Sequence, residues 1–270
     1  MDKTEIEKYL KTRGFGRNLV CLDKTASTNH DAKMAASSGC PHGHTIVADE
    51  QTEGRGRLDH AWISPSGINI YVSIVLKPNV PTSIFPQIPI ICAIALHQAL
   101  VGMEPSLDIS LKWPNDLLLT ENRRKISGIL CEGVTTKERS LAVVAGIGIN
   151  VNGSLEDFSE NLRHTAGSLK MATGRAWSRE QVLAVFLNRF EIIFDEWQEA
   201  QSLQLFMDYW NRHDLLAGQR ISVVQDSKTE EGVAIGMDDE GRLLLEISGN
   251  VKLIHAGDVH LEWKAESQKH

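Results

Sequence analysis

Glu50-Gln-Thr-Glu-Gly-Arg-Gly-Arg57 sets two arginines between glycines, and Lys112-Trp-Pro-Asn-Asp116 and Lys125-Ile-Ser-Gly128 follow it. These residue types suit a polyanion. Glycine lets the backbone approach a ligand closely and take positive φ at little steric cost. Arginine's planar fork matches phosphate or carboxylate oxygens, and lysine serves as a compact point charge. A solvated basic turn would also read Gly-Arg-Gly-Arg; three segments in this order point instead to a built site.

The rest of the chain restricts what that site can serve. It has 270 residues and a net charge of −7, with 42% hydrophobic and 23% charged residues. These are the proportions of an ordinary globular protein with one large domain and room for a small appendage. The negative charge argues against a general nucleic-acid binder, which carries a basic stripe. Arg55 and Arg57 are therefore a local device. Cys21, Cys40, Cys92 and Cys131 are scattered, which fits free thiols in a reducing cytosol better than a disulfide framework. The start lacks a basic and then apolar leader. The apolar run near Ile88–Ala95 holds Pro89 and is too short to span a bilayer. A cytoplasmic protein without a membrane partner is expected.

The elements that must position these residues read as follows. Residues 1–20 suggest a leading helix and turn. Ser27 reads as the N-cap of a helix over Asn29–Ser38. Thr45–Ala48 and Asn69–Leu76 are β-rich, and Phe85–Val101 is a core helix starting at Pro86 or Pro89. Leu111–Trp113, Asp116–Leu119, Ser127–Val134 and Leu141–Ile149 follow as strands with little helix between them. That succession predicts an α+β fold: a mixed, mostly antiparallel sheet with helices to one side. Arg179–Glu199 has a helical apolar stripe, and a second helix covers Leu203–His213. Short strands over Arg220–Val224, Glu231–Gly236, Arg242–Glu246, Val251–His255 and Val259–Trp263 then suggest a small barrel. The expected units are 1–215 and 216–270.

The order and wording of Ser27-Thr28-Asn29, Ala48–Arg57, Trp62-Ile-Ser-Pro-Ser-Gly67, Lys112–Asp116, Lys125–Gly128 and Gly146-Ile-Gly-Ile-Asn150 resemble the catalytic domain of biotin–protein ligases. The resemblance implies a fold of the class II aminoacyl-tRNA synthetase and biotin-ligase kind, with an SH3-like C-terminal barrel. It also implies a two-step reaction. Biotin and ATP, with Mg2+, give biotinyl-5′-AMP, and biotin then passes to a lysine of a biotin carboxyl carrier protein or domain. Some members carry a winged-helix DNA-binding domain ahead of the catalytic one. Here the first motif begins at Ser27, which leaves no room for it, so DNA is not an expected partner. Strand edges of the main sheet leave a homodimer open.

Joining two anions needs positioning and charge stabilisation rather than a protein nucleophile. The resemblance makes Lys125 the catalytic lysine between biotin carboxylate and α-phosphate. It makes Arg57 the arginine that stabilises and retains the adenylate, with Arg55 and the Gly54 and Gly56 amides closing over it. Ser27, Thr28, Asn29 and Gln51 would hold the ureido head, and Gly128 and Gly148 would line the biotin slot. Ser27 can cap its helix as well. Trp62 would stack on adenine, whereas Trp113 reads as core. Lys112, Asn115 and Asn150 would face the nucleotide. Asp116 would meet phosphate or magnesium, or bond its own turn backbone.

One departure is His60, where many members have arginine. Cys40-Pro-His-Gly-His44 resembles a metal cluster but has no fourth ligand at a recognisable spacing and is not read as a zinc site. Rivals are a lipoate–protein ligase, a non-catalytic biotin or adenylate sensor, and an RNA binder. The C-terminal unit would close over ATP, dock the acceptor or only stabilise its neighbour.

Overall fold

The run Ile70–Leu76 is buried along its whole length. Only a strand with neighbours at both edges and cover on both faces can bury every side chain. In the computed structural model, which describes residues 1–137, 140–225 and 228–261, this run is β3 of a seven-stranded sheet. The other strands are β1 (Leu19–Thr25), β2 (Thr45–Gln51), β4 (Ile109–Lys112), β5 (Asp116–Leu119), β6 (Lys125–Thr135) and β7 (Leu141–Ile149). Their order is β1-β2-β3-β7-β6-β5-β4. β1 and β2 are parallel; every other neighbouring pair is antiparallel. The mixed, mostly antiparallel sheet is the one expected.

One face carries α3 (Ile88–Met103) and α5 (Arg179–Ala200), with α1 (Lys3–Tyr9) against α5. Val182, Phe186, Phe190, Ile193, Phe194 and Trp197 of α5 are buried at helical spacing, which gives one continuous apolar stripe. Thr82–Met103, a 3-10 turn running into α3, is long and apolar enough to cross a membrane. Here Ile88, Ile91, Ile94 and Leu96 are wholly enclosed by the protein, each worth roughly 1.5–3 kcal/mol relative to exposure.

Against the expectation of helices to one side, α2 (Thr28–Ser37) lies on the opposite face. Its Ala32 and Ala36 pack on Ile46, Val75 and Val144, which alternate with the residues facing α3 and α5. The small alanines let this polar helix sit close to the sheet, and its weak apolar stripe gave no sign of which face it would take.

After short α4 (Leu169–Thr173) and α6 (Met207–His213) come β8 (Arg220–Gln225), β9 (Lys228–Met237), β10 (Leu243–Ile247), β11 (Asn250–Ile254) and β12 (Asp258–Leu261). This SH3-like unit is a five-stranded antiparallel sheet in the order β11-β10-β9-β8-β12. No pairing of β11 with β12 closes it among the described residues. The end of the strand expected over Val259–Trp263, and of the expected unit 216–270, lies outside the described residues.

The two sheets meet near the site. The Trp113 indole donates to the Gly241 carbonyl at 2.9 Å and is buried, the core role read for it. Leu215 N–H donates to the Leu111 carbonyl at 2.8 Å, covering part of the edge of β4.

Candidate active site

The sheet face under α2 is unusually bare. Tyr71 and Ser73 of β3 pair with Gly148 and Gly146 of β7, which pair in turn with Gly128 and Leu130 of β6. Opposite residues share a face, so three glycines lie side by side on the α2 side. A Cβ at Gly146 would collide with the Asn29 amide, and one at Gly148 with the Trp62 indole. The glycines thus admit the start of α2 and the arginine segment onto the sheet. A cavity of about 540 Å³ opens there, within the usual range for small-molecule sites. Ser27, Thr28, Asn29, Gln51, Arg55, Gly56, Arg57, Trp62, Asn115, Asp116, Lys125, Gly128, Gly146, Gly148 and Asn150 all line it.

At one end the lining is neutral. Gln51 Oε1 accepts from Thr28 N (2.9 Å) and Thr28 Oγ1 (3.0 Å), and Gln51 Nε2 donates to Ser64 Oγ (3.0 Å). The Thr28 backbone N–H can only donate, which settles which way the Gln51 amide faces. Asn29 Nδ2 donates to the Glu132 carboxylate (2.8 Å) and the Leu130 carbonyl (3.3 Å). Ser73 Oγ lies 2.6 Å from Asn29 Oδ1 and 2.8 Å from Thr28 Oγ1. Two hydroxyl protons, on Ser73 and Thr28, must serve three contacts, to Asn29, to each other and to Gln51. An oxygen lone pair is left over, and Thr28 is the member of the pair that lines the cavity, where it can meet a ligand N–H. Ser27 stands at the N-cap position of α2 but its side chain makes no cap bond, so its hydroxyl is not spent on the helix.

Burial pushes the Glu132 carboxyl up, but hydrogen bonds from Lys33 and Asn29 and the charges of Lys33 and Arg55 outweigh it. The carboxyl ends below its ordinary range. Glu132 is ion-paired with Lys33 at 2.7 Å, and it stands behind the lining of the cavity rather than in it.

At the other end the lining is cationic, and the Trp-Pro-Asn-Asp turn, with its cis Trp113–Pro114 bond, holds the cations. Lys125 Nζ is 2.7 Å from Asp116 Oδ1 and 5.6 Å from the centre of the Trp62 ring, within cation–π range. Arg57 donates to Asn115 Oδ1 and to the Gly257 carbonyl of the C-terminal unit, both at 3.0 Å. Asn115 is held by its own amide on the Ile129 carbonyl at 2.7 Å. Asn115 and Asp116 therefore meet the two cations directly. Asp258 of β12 also lines the cavity.

Lys125 is gripped through its backbone as well. Its N–H donates to the Thr165 carbonyl (2.7 Å), and its carbonyl accepts from Gly167 N (2.9 Å) and Asn150 Nδ2 (3.3 Å). Asn150 thus touches the lysine's main chain. The segment that supplies Thr165 also gives the cavity Phe158, Leu162 and Ala166, a wall that no periodicity in the sequence marks. Ser73 and Glu132 had only their places in strands to recommend them.

Two expected residues stand apart from the lining. Gly54 sits at the root of the arginine segment, where a Cβ would meet Trp62 O at 2.5 Å, Ser64 Oγ at 2.7 Å and Gln51 Nε2 at 3.0 Å. Lys112, opposite Asp116 in the β4–β5 pair, is mostly enclosed. Burial lowers its pKa, Asp116 and Asp258 partly offset this, and the Lys125 and Arg57 charges add to it. Trp62 covers Gly128 and Gly148, over the strands expected to line a biotin slot. His60 lines the cavity. His44 contacts Asn18 Oδ1 at 2.9 Å, and His42 Nδ1 accepts from Lys77 N at 2.9 Å.

Known proteins resemble this chain in sequence and fold. The biotin/lipoate A/B protein ligase family model matches residues 21–150, and the biotin protein ligase C-terminal domain model matches 217–261. The bifunctional ligase/repressor BirA of Bacillus subtilis is 35% identical over 263 residues, covering 97% of this chain and 79% of that protein. The biotin–[acetyl-CoA-carboxylase] ligase of Mycobacterium tuberculosis is 30% identical, covering 96% and 95%. The biotin protein ligase of Aquifex aeolicus, solved in complex with biotin and ATP, superposes with a TM-score of 0.79 at 29% identity, covering 91% and 99%.

Proposed function

The chain belongs to the biotin protein ligase family, and we propose that the cavity under α2 is where it joins biotin to ATP. It is a biotin–protein ligase, forming biotinyl-5′-AMP and passing biotin to a protein lysine. The observation that carries the siting is the asymmetry of the cavity. A neutral, acceptor-rich end adjoins a cationic end in which Asn115 and Asp116 hold Arg57 and Lys125.

In this reading a ureido N–H takes the spare lone pair at Thr28, which lines the cavity, and Ser27 donates to the ureido oxygen. Gly128, Gly146 and Gly148 let Trp62 and Asn29 sit close on the sheet, and the valeryl chain would run along the wall that these two side chains make. Its carboxylate then lies beside Lys125. The carboxylate oxygen attacks the α-phosphorus of ATP, an acyl–phosphate bond forms, and the bond to the bridging oxygen breaks to release pyrophosphate. Lys125 Nζ leaves Asp116 to neutralise the reacting oxygens, a stabilisation typically worth ~10²–10³ in rate per donor. Arg57 retains the mixed anhydride until an acceptor lysine attacks its carbonyl carbon and AMP departs. Asn150 and the 158–166 wall face the nucleotide side, Trp62 lies between them and the glycine strands beside Lys125, and together they keep water from the anhydride.

Magnesium fits only in part. Among the described residues no group of three or more His, Cys, Asp or Glu side chains could hold a metal, and Asp116 is one carboxylate already paired with Lys125. Magnesium usually binds through one or two carboxylates plus substrate phosphates. Asp116 would be its protein contact, and the ion would supply charge screening for the ATP phosphates.

Lipoate is the weaker substrate candidate, because its dithiolane has no N–H to offer the spare acceptors. A site built to hydrogen-bond such groups rejects an analogue lacking them. The proposed acceptor is the biotin carrier domain of a carboxylase, and the proposed location is the cytoplasm. Incubation with biotin, ATP, magnesium and a carrier domain should add one biotin to one lysine, read by mass spectrometry. An unmodified carrier beside ready adenylate formation would move the acceptor assignment elsewhere.

A further inference from the structure

Four polar groups at the root of the arginine segment form one chain. Thr28 donates to Gln51, Gln51 donates to Ser64 Oγ at 3.0 Å, and Ser64 Oγ donates to the Trp62 carbonyl at 3.0 Å. Ser64 is 6% exposed and touches both the ureido-end amide and the main chain that carries the Trp62 indole. Gly54 packs into the same node, against Trp62 O, Ser64 Oγ and Gln51 Nε2. Beyond Trp62 the ring lies over Gly128 and Gly148 and meets Lys125. The contact runs from the neutral end of the cavity to the catalytic lysine without a gap.

We propose that Ser64 is a positioning residue that couples occupation of the ureido end to the hold on the nucleotide. The proposal rests on the ligase reading above. Gln51 has both Oε1 lone pairs committed to Thr28, so any shift of Thr28 towards a ureido head rotates the Gln51 amide. Rotation moves Nε2, and Nε2 can stay bonded only if Ser64 follows. Ser64 in turn holds the Trp62 carbonyl, and with it the indole that faces Lys125. A hydroxyl is required at this place because one atom must accept from Gln51 and donate to Trp62 at once. Alanine removes both bonds but leaves Thr28 gripping Gln51, so the ureido end keeps its shape.

The test is a calorimetric titration of an α,β-methylene ATP analogue with and without saturating biotin. It uses the wild-type chain, Ser64→Ala, Ser64→Cys and Ser64→Thr. In wild type biotin should tighten the analogue at least about fivefold, the low end of usual site–site coupling, and the analogue should tighten biotin by the same factor. In Ser64→Ala the coupling should fall to about one while biotin alone binds within about threefold of wild type. Ser64→Cys, nearer in shape with a weaker donor, should lie between them, and Ser64→Thr should restore coupling.

Full coupling in Ser64→Ala, or no coupling in wild type, would overturn the proposal. So would equal losses of biotin and analogue binding together with a lowered melting temperature, which mark a merely structural serine. The titration needs no turnover. A wild-type chain that couples the ligands but makes no adenylate would therefore sink the ligase reading alone.

Discussion

The two ends of the cavity are built on opposite principles. At the ureido end, Thr28, Asn29, Gln51 and Ser73 are fixed by bonds to one another and to Glu132, and only a lone pair is spare. At the phosphate end, Lys125 and Arg57 are held by groups that a substrate anion can displace. The arginine segment there also carries Leu58 at φ 51°, 64% exposed. A left-handed leucine costs roughly 1–2 kcal/mol, so this segment holds strain that the other end lacks. The difference separates recognition from rate. Under the proposed function, a hydrogen-bonded, acceptor-rich pocket selects the molecule that enters, and a displaceable cationic clamp acts when charge develops.

The separation can be broken most severely at Lys125. Lys125→Ala should lower adenylate formation ~10³-fold, at the upper end for loss of one charge-stabilising donor. Biotin affinity, which keeps every ureido contact, should fall far less than adenylate formation, and the melting temperature should stay close to wild type. A comparable fall in biotin affinity would mean that the two ends are not distinct.

Arg57→Gly removes the bonds to Asn115 and Gly257 and should leave adenylation largely intact. Adenylate should escape ~10–100-fold faster, a loss of about one to two charged hydrogen bonds. Bystander lysines added to the reaction should then become biotinylated. Adenylate held as tightly as in wild type would remove the retaining role from this residue.

Thr28→Val tests the neutral end. It deletes the hydroxyl between Ser73 and Gln51 and should weaken biotin ~10-fold, about 1.4 kcal/mol, by leaving buried acceptors unpaired. The turnover rate with saturating biotin should hardly change, and a falling turnover rate would place Thr28 in the chemistry.

The smallest effect belongs to Lys112. Burial lowers its pKa, and bound phosphates favour its charged form, so ATP binding takes up a proton near that pKa. ATP affinity should decline as pH rises through the lowered value, by at most about tenfold per pH unit, and Lys112→Ala should abolish that limb. The sign for stability is opposite. The unfolded lysine binds its proton more tightly, so stability rises with pH between the lowered and the ordinary lysine pKa. A flat ATP affinity across that range in wild type would contradict the expectation that Lys112, behind Asp116, senses the phosphates.

Much of this was legible in the sequence where local pattern governs. β5 and β7 have the bounds expected for Asp116–Leu119 and Leu141–Ile149, because apolar runs bounded by turns and charges define them. The motif residues fall around one cavity because their short strands are neighbours in a single sheet. β1 was hidden, since it is an edge strand whose Asp23 and Lys24 break its apolar pattern. The face taken by α2 was hidden too, because alanines and polar residues carry no strong stripe. The wall at 158–166 is made of turns closing onto Lys125, a long-range pairing that no local period announces. The Asn115–Arg57 and Asp116–Lys125 contacts depend on side-chain aim, which motif spacing does not fix.

The central claim is that an acceptor-rich pocket and a cationic clamp together activate biotin. The most direct measurement is exchange of labelled pyrophosphate into ATP, with biotin or with lipoate, beside the Lys125→Ala chain. The account predicts exchange that depends on biotin, is weak or absent with lipoate, and is lost in Lys125→Ala. Exchange with lipoate alone, or undiminished exchange without Lys125, would contradict it.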